Sequence, residues 1–160
     1  MIDRKEFRDA MAHLPAAVHV LTTDGPAGRA GLTATAVSSV TDEPGILLVC
    51  INRNGRAHDI FLQNGVFCVN TLASGQEAIA DIFAREPDME QRYKAAHWGL
   101  LATGAPVLAG AAITFDCKIA TSSEMGTHTV IFGEVQAISR AEVPTGLLYF
   151  GRGYHPVELL

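Results

Sequence analysis

The sequence predicts a mainly β protein: an antiparallel β-barrel, closed or nearly closed, with peripheral helices. Three observations predict it. Strand-like runs number about six or seven, against roughly two or three short helical patterns. No strand–helix–strand alternation occurs, which argues against a doubly wound sheet. Residues 29–56, RAGLTATAVSSVTDEPGILLVCINRNGR, read as two strands joined by a turn at Asp42-Glu43-Pro44-Gly45, the hairpin unit of an antiparallel sheet.

Each element has a local cause. Residues 3–12 suit a helix, with Asp3 as cap, Glu6 in the first turn, and Phe7, Ala10 and Met11 on one face; Pro15 ends it. Residues 17–23 form a strand closed by the turn Asp24-Gly25-Pro26-Ala27-Gly28. His19, set between valines, reads as a hydrogen-bonded, partly buried side chain. Next comes a strand of small and hydroxyl residues, Thr33, Ala34, Thr35, Ala36, Ser38 and Ser39. Residues 46–51 are continuously apolar, as expected of a strand buried on both faces. Residues 57–63 are a short helix ended by Asn64-Gly65, and 66–71 are a strand. Residues 76–84 form a helix with Ala78, Ile79, Ile82 and Phe83 on its apolar side. Residues 89–96 add a turn or two of helix as a mobile cover, and Trp98 reads as a core anchor. Residues 111–121 and 129–139 are long strands joined by 122–128, and 145–150 form the last strand. The chain ends in the Gly-flanked cluster Gly151-Arg152-Gly153-Tyr154-His155-Pro156.

The 160 residues suit one domain with a sizeable core. A net charge of −5 without blocks of like charge argues against nucleic acid as partner. The 48% hydrophobic content leaves room for an oligomer interface. No apolar run approaches the roughly 20 residues of a membrane-spanning helix, and the charged N-terminus is not a signal peptide. Cys50, Cys68 and Cys117 form no CxxC pair and read as free thiols, which implies a reduced, cytoplasmic setting.

Acid–base and metal chemistries find little support. GxSxG, HExxH, Walker and GxGxxG motifs are absent, and the six histidines form no compact ligand pair. What remains is a bound planar, phosphorylated cofactor. Small residues at 33–36 let a flat ligand approach the backbone, and Arg53 and Arg56 in Asn52-Arg53-Asn54-Gly55-Arg56 can neutralise phosphate. Gly126-Thr127-His128 and Arg152-Gly153-Tyr154-His155 are two further strand ends that can converge on the same ligand.

At this point the chain resembles the short-chain flavin reductases, the reductase components of two-component flavin-dependent monooxygenases. The resemblance runs from Phe7 to Pro156. It rests on FRDAM (7–11), TTDGPAGRAGLTATAVSSVTDEP (22–44), LLVCINR (47–53), FCVNTL (67–72), GTH (126–128) and YFGRGYHP (149–156). The pattern is similar to the reductases that serve the 4-hydroxyphenylacetate and pyrimidine monooxygenases. It implies an FMN-binding split barrel acting as a homodimer, with flavin sites near the subunit interface. By position, Thr33, Ala34, Thr35 and Ala36 would line the flavin ring and ribityl chain. Ser39, Asn52, Arg53 and the turn through Asn54, Gly55 and Arg56 to Ala57 would hold the tail and phosphate, with Ala84 and Arg85 adding contacts. His128 would be the catalytic residue, facing the nicotinamide or its ribose, while Arg152, Gly153, Tyr154 and His155 would hold the pyridine nucleotide. Many members carry Gly-Asp-His where this chain has Gly126-Thr127-His128; the histidine stays.

The expected reaction is hydride transfer from NADH, with NADPH the second choice, to FMN or FAD, followed by delivery of reduced flavin to a separate monooxygenase. Such chemistry resides in the cofactors and asks the protein mainly for stacking and alignment. An alternative is a non-catalytic flavin-binding electron carrier or sensor on the same barrel, which leaves the residues at 152–155 without a task. An oxidase of the pyridoxamine-phosphate type is a third, with Arg85 and Arg152 as phosphate clamp.

Overall fold

The computed structural model describes residues 1–159. Its helices are α1 (Arg4–Met11), α2 (His58–Asn64), α3 (Glu77–Arg85) and α4 (Met89–Lys94). Its strands are β1 (Ala16–Ala17), β2 (His19–Thr23), β3 (Ala30–Ala34), β4 (Val37–Asp42), β5 (Gly45–Asn52), β6 (Val66–Thr71), β7 (Trp98–Gly99), β8 (Val107–Leu108), β9 (Ile113–Met125), β10 (His128–Arg140), β11 (Thr145–Phe150) and β12 (Gly153–Glu158). Twelve strands among the described residues exceed the expected count because β1, β7 and β8 have two residues each and carry no readable period, the small-residue run is the two strands β3 and β4, and β12 follows the last expected strand.

Seven strands form one antiparallel sheet in the order β3-β2-β6-β9-β10-β5-β4. Its two edges, β3 and β4, are consecutive in the chain and separated only by Thr35 and Ala36. Two residues span a short distance, so the sheet must curl until its edges meet. The result is a barrel split between β3 and β4. The expected single small-residue strand is therefore two strands: the chain leaves one sheet edge at Ala34 and joins the other at Val37, where the Cys50 N–H donates to the Ala36 carbonyl at 3.2 Å.

Leu21, Leu47, Val49, Ile51, Phe67 and Ile131 fill the barrel, and Phe61 of α2 packs with them. Gly133 is needed there: a Cβ at that position would lie 2.5 Å from Cζ of Phe67. A second core holds Val18, Val20, Leu72, Ala80, Phe83, Tyr93 and Leu147 between the sheet, α3, α4 and the β11–β12 hairpin. Trp98 packs against this core, its ring 4.9 Å from that of Tyr93, as expected.

The strand buried throughout is β2, which lies between the two cores, not β5. In β5, Leu47, Val49 and Ile51 are buried, whereas Ile46, Leu48 and Cys50 are only half-covered, because no second layer of this chain lies outside the sheet there. Residues 122–125 continue β9 instead of looping, and His128 pairs with Met125. The polar side chains that suggested a loop are those of an exposed hairpin end. Gly153–Glu158 is a further strand, so Gly151-Arg152 is a tight hairpin turn and not a chain-end cluster. Asp3 precedes α1 as expected but caps it with no side-chain hydrogen bond.

His19 is buried, with Nδ1 3.0 Å from Thr71 Oγ1, and burial pushes its pKa down to about 4. Asp116, fully buried, accepts from the N–H groups of Ala102 (2.7 Å) and Thr103 (2.8 Å) and from the Thr103 hydroxyl, fastening the loop before β8 to β9. Cys68 and Cys117 are buried free thiols, and Cys50 is half-buried. No helix among the described residues is long and apolar enough to cross a membrane, and no group of metal-ligating side chains is found among them.

Candidate functional site

The site is built around β3. The Thr33 hydroxyl donates to the Ala80 carbonyl of α3 at 2.7 Å, fixing the small-residue strand against the helix that faces it. Two cavities lie on either side of this contact, and both are bordered by Thr33 and Ala84.

The first cavity measures about 480 Å³, within the size range of ligand pockets, about 300–1,000 Å³. Its apolar walls include Leu32, Ile51, Phe83, Pro87 and Met89. Its polar lining comes from Thr33, Asn52, Asn54, Arg56, His58 and Arg92, and no carboxylate borders it. The turn after β5 is tight: the Gly55 N–H donates to the Asn52 carbonyl at 3.1 Å, and Asn52 Oδ1 accepts from the Asn54 N–H at 3.0 Å. Arg92 is held in place by donation from Nε to the Glu86 carbonyl (2.5 Å) and from Nη1 to the Gly31 carbonyl (2.7 Å). Apolar walls with two cations and no anion suit a flat heteroaromatic that carries phosphate.

The second cavity measures about 300 Å³. Thr33, Ala34 and Thr35 line one side, Asp81, Ala84 and Arg85 of α3 another, and Tyr149, Arg152, Gly153 and Tyr154 of the hairpin the third. The Tyr154 hydroxyl donates to Asp81 Oδ1 at 3.2 Å; burial and then the Asp81 charge raise the Tyr154 pKa. Arg152 and Thr35 also border a third, more apolar hollow against α1, as does Ala36.

Of the residues singled out from the sequence, Thr33, Asn52, Asn54, Gly55, Arg56, Ala57 and Ala84 meet at the first cavity. Thr33, Ala34, Thr35, Ala84, Arg85, Arg152, Gly153 and Tyr154 meet at the second. Arg53 turns to a separate hollow beside Gly126 and Thr127, where it pairs with Glu124 at 3.1 Å. His128, Ser39 and His155 border none of these cavities. His128 contacts its neighbour, Nδ1 to Thr127 Oγ1 at 2.9 Å. Ser39 is exposed on β4, and His155 Nε2 lies 3.0 Å from the Phe150 carbonyl.

Sequence reading missed Arg92, Asp81 and His58. Arg92 and Asp81 sit on helices whose apolar periodicity, not their charges, drew attention. His58 is buried behind the phosphate-suited turn, with Nε2 2.8 Å from Thr129 Oγ1 and Nδ1 2.7 Å from Asp59 Oδ1.

Comparison with known proteins identifies the family. A family profile described as "Flavin reductase like domain" matches residues 11–158. An FMN reductase (NADH), RutF, of Stutzerimonas stutzeri (strain A1501) is 52% identical over 152 residues, covering 95% of this chain and 87% of that protein. The protein of the same name from Klebsiella pneumoniae (strain 342) is 52% identical over 155 residues, 97% of this chain and 94% of its own length. Among solved structures, the NADH:FAD oxidoreductase SgcE6 of Streptomyces globisporus C-1027, in complex with NAD and FAD fragments, superposes with a TM-score of 0.89 at 30% identity, covering 96% of this chain and 92% of that one. The styrene monooxygenase flavin reductase of Pseudomonas putida S12 gives a TM-score of 0.86 at 27% identity, covering 97% and 99%. On its profile match, its relatives and its split barrel, the chain belongs to the flavin reductase-like domain family.

Proposed function

We propose that this protein is an NADH-dependent FMN reductase that supplies reduced flavin to a separate monooxygenase. The observation that carries the reading is the pair of cavities meeting at Thr33 and Ala84, one of them cationic and free of carboxylates among its lining residues. Relatives about half identical over nearly the whole chain bear the name FMN reductase (NADH), which favours FMN over FAD and NADH over NADPH.

When bound, the flavin supplies a ring nitrogen, N5, that accepts hydride from the nicotinamide. The chain's part is to hold, orient and shield. Arg56 and Arg92, with the turn from Asn52 to Ala57, neutralise the flavin phosphate. Leu32, Phe83 and Met89 exclude water from the ring. Thr33 and Ala84 form the common wall at which the two ligands meet, and small side chains at 34–36 leave the backbone open to close approach. Arg152, Gly153 and Tyr154 hold the pyridine nucleotide. The hydride chemistry resides in the two cofactors, and alignment of their rings can supply much of the acceleration without a dedicated proton donor and acceptor pair.

The protein acts as one domain and as a homodimer in the cytoplasm. Leu48, Cys50, Val130 and Phe132 form a half-covered apolar patch on the outside of β5 and β10, beside the exposed Val40 of β4. His128 has the same strand parity as Val130 and Phe132, so it stands at the rim of this patch. Association through the patch supports a role for His128 in a site shared between subunits. Replacing His128 with Ala weakens use of NADH more than binding of FMN; equal loss of both, or of neither, counts against that role.

The decisive experiment follows NADH and NADPH oxidation by absorbance with no flavin, with FMN and with FAD. Turnover that requires added FMN supports the reading. A tightly held flavin that neither nucleotide reduces would sink it in favour of the carrier.

A further inference from the structure

Helix α1 is attached to the barrel in an unusual way. It buries no residue, and its Phe7 and Met11 are about half exposed. Its ties lie at the β11–β12 turn: the Gly151 N–H donates to the Ala12 carbonyl at 2.8 Å, and Arg152 Nη2 donates to Asp9 Oδ1 at 2.5 Å. Asp9 Oδ2 also accepts from Lys5 Nζ at 2.7 Å. Lys5 first and Arg152 second hold the Asp9 carboxyl below the usual carboxylate range.

Arg152 is the single non-glycine residue with positive φ (63°) among the described residues. With Gly151 at 58°, it forms a hairpin turn of the kind that favours Asn and Gly at both central positions. A strained arginine at such a turn is explained by what its side chain does, and it borders both the second cavity and the hollows against α1.

We propose that Asp9 is an internal competitor for Arg152, occupying the guanidinium that the diphosphate of the pyridine nucleotide takes, so that α1 is a releasable strap beside the nucleotide cavity. The inference rests on the second cavity being the nucleotide site. The ion pair is open to water, with side chains 58% and 40% exposed, and exposed pairs of this kind hold weakly. A diphosphate offers an arginine several charge-assisted hydrogen bonds and displaces a single carboxylate. Lys5 and Arg8 on the facing surface of α1 leave a net attraction for the incoming anion once Asp9 is displaced.

The test is Asp9→Asn, compared with the natural protein at saturating FMN. NADH and a phosphate-free dihydronicotinamide, 1-benzyl-1,4-dihydronicotinamide, serve as alternative reductants. Removing a weakly held competitor lowers KM for NADH by about two- to fivefold and leaves the phosphate-free reductant unaffected. An unchanged or raised KM for NADH overturns the inference, as does an equal change with both reductants, which would mean that the substitution acts through packing of α1. Absence of NADH-dependent flavin reduction in the natural protein would refute the reductase reading itself. NADH binding to the same two proteins, measured by calorimetry, then decides the Asp9 question: tighter binding to the variant upholds it, and equal or weaker binding overturns it.

Discussion

A Cβ built on Gly31 would stand 2.6 Å from Cε1 of Phe83 and 3.1 Å from the Leu21 carbonyl. Phe83 is at once a member of the second core and a wall of the first cavity. Glycine at 31 thus sets how far the ring stands back from the cavity. Gly31→Ala is expected to drive Phe83 toward the cavity, at an overpacking cost of about 1–3 kcal/mol. Fluorescence titration should show FMN binding at least several-fold weaker, and thermal unfolding should show a lower midpoint. Unaltered FMN affinity would mean that Phe83 yields elsewhere.

Arg56 tests the phosphate end. Arg56→Gln removes one cation from a cavity lined by two cations and no anion. A hydrogen bond to a charged group contributes about 1.5–3 kcal/mol, so KM for FMN is expected to rise about tenfold or more. Riboflavin, which lacks the phosphate, should be reduced equally well by both proteins. A parallel rise for riboflavin would place the phosphate somewhere else.

The outer face of β5 and β10 predicts self-association. Phe132→Glu sets a charge in the half-covered patch with Leu48, the residue opposite it in the ladder. Light scattering on the eluting protein should report a monomer, with the β-rich circular dichroism spectrum retained. A folded variant that remains a dimer would exclude this face as the contact.

His19 predicts an acid limb of stability. Its ordinary pKa is 6.5, and burial lowers it to about 4 in the folded protein, so the unfolded chain binds the proton more readily. The stabilisation is complete above about pH 6.5 and is lost as pH falls toward 4, by about 3 kcal/mol in total. His19→Gln, which retains a side-chain partner for Thr71, should flatten the urea-midpoint profile over that interval. An equally steep profile in the variant would assign the acid limb to other groups.

The barrel was legible because strand-like runs bounded by Gly and Pro turns outnumber the helical patterns; that Leu47, Val49 and Ile51 alone face inward was not, since residues 46–51 are apolar throughout. Much of the cavity-bordering backbone was legible too, since Thr33 to Thr35 and Asn52 to Ala57, Arg53 apart, are contiguous stretches whose residue types state their chemistry. Residues that reach the cavities across space were not. Arg92 borders the first cavity only because its guanidinium is fastened to Gly31 and Glu86, residues on two other segments. The break at Thr35-Ala36 was hidden for a related reason: small, polar residues look alike whether they continue one strand or pass between the two edges of a curled sheet. His128 was drawn to the site by its motif, yet within one chain it faces outward, along the patch assigned to association.

The sulfur atoms add a chemical consequence. Reduced flavin that escapes into aerated solution reacts with dioxygen and yields peroxide, and peroxide oxidises thiolates far faster than thiols. Burial, reinforced by the Asp116 charge, pushes the Cys117 thiol up to about 12 and raises Cys68 further, while partial burial raises Cys50. All three cysteines of the chain are therefore kept protonated at neutral pH. If the protein releases reduced flavin as proposed, its three thiols stand in the form that peroxide attacks more slowly.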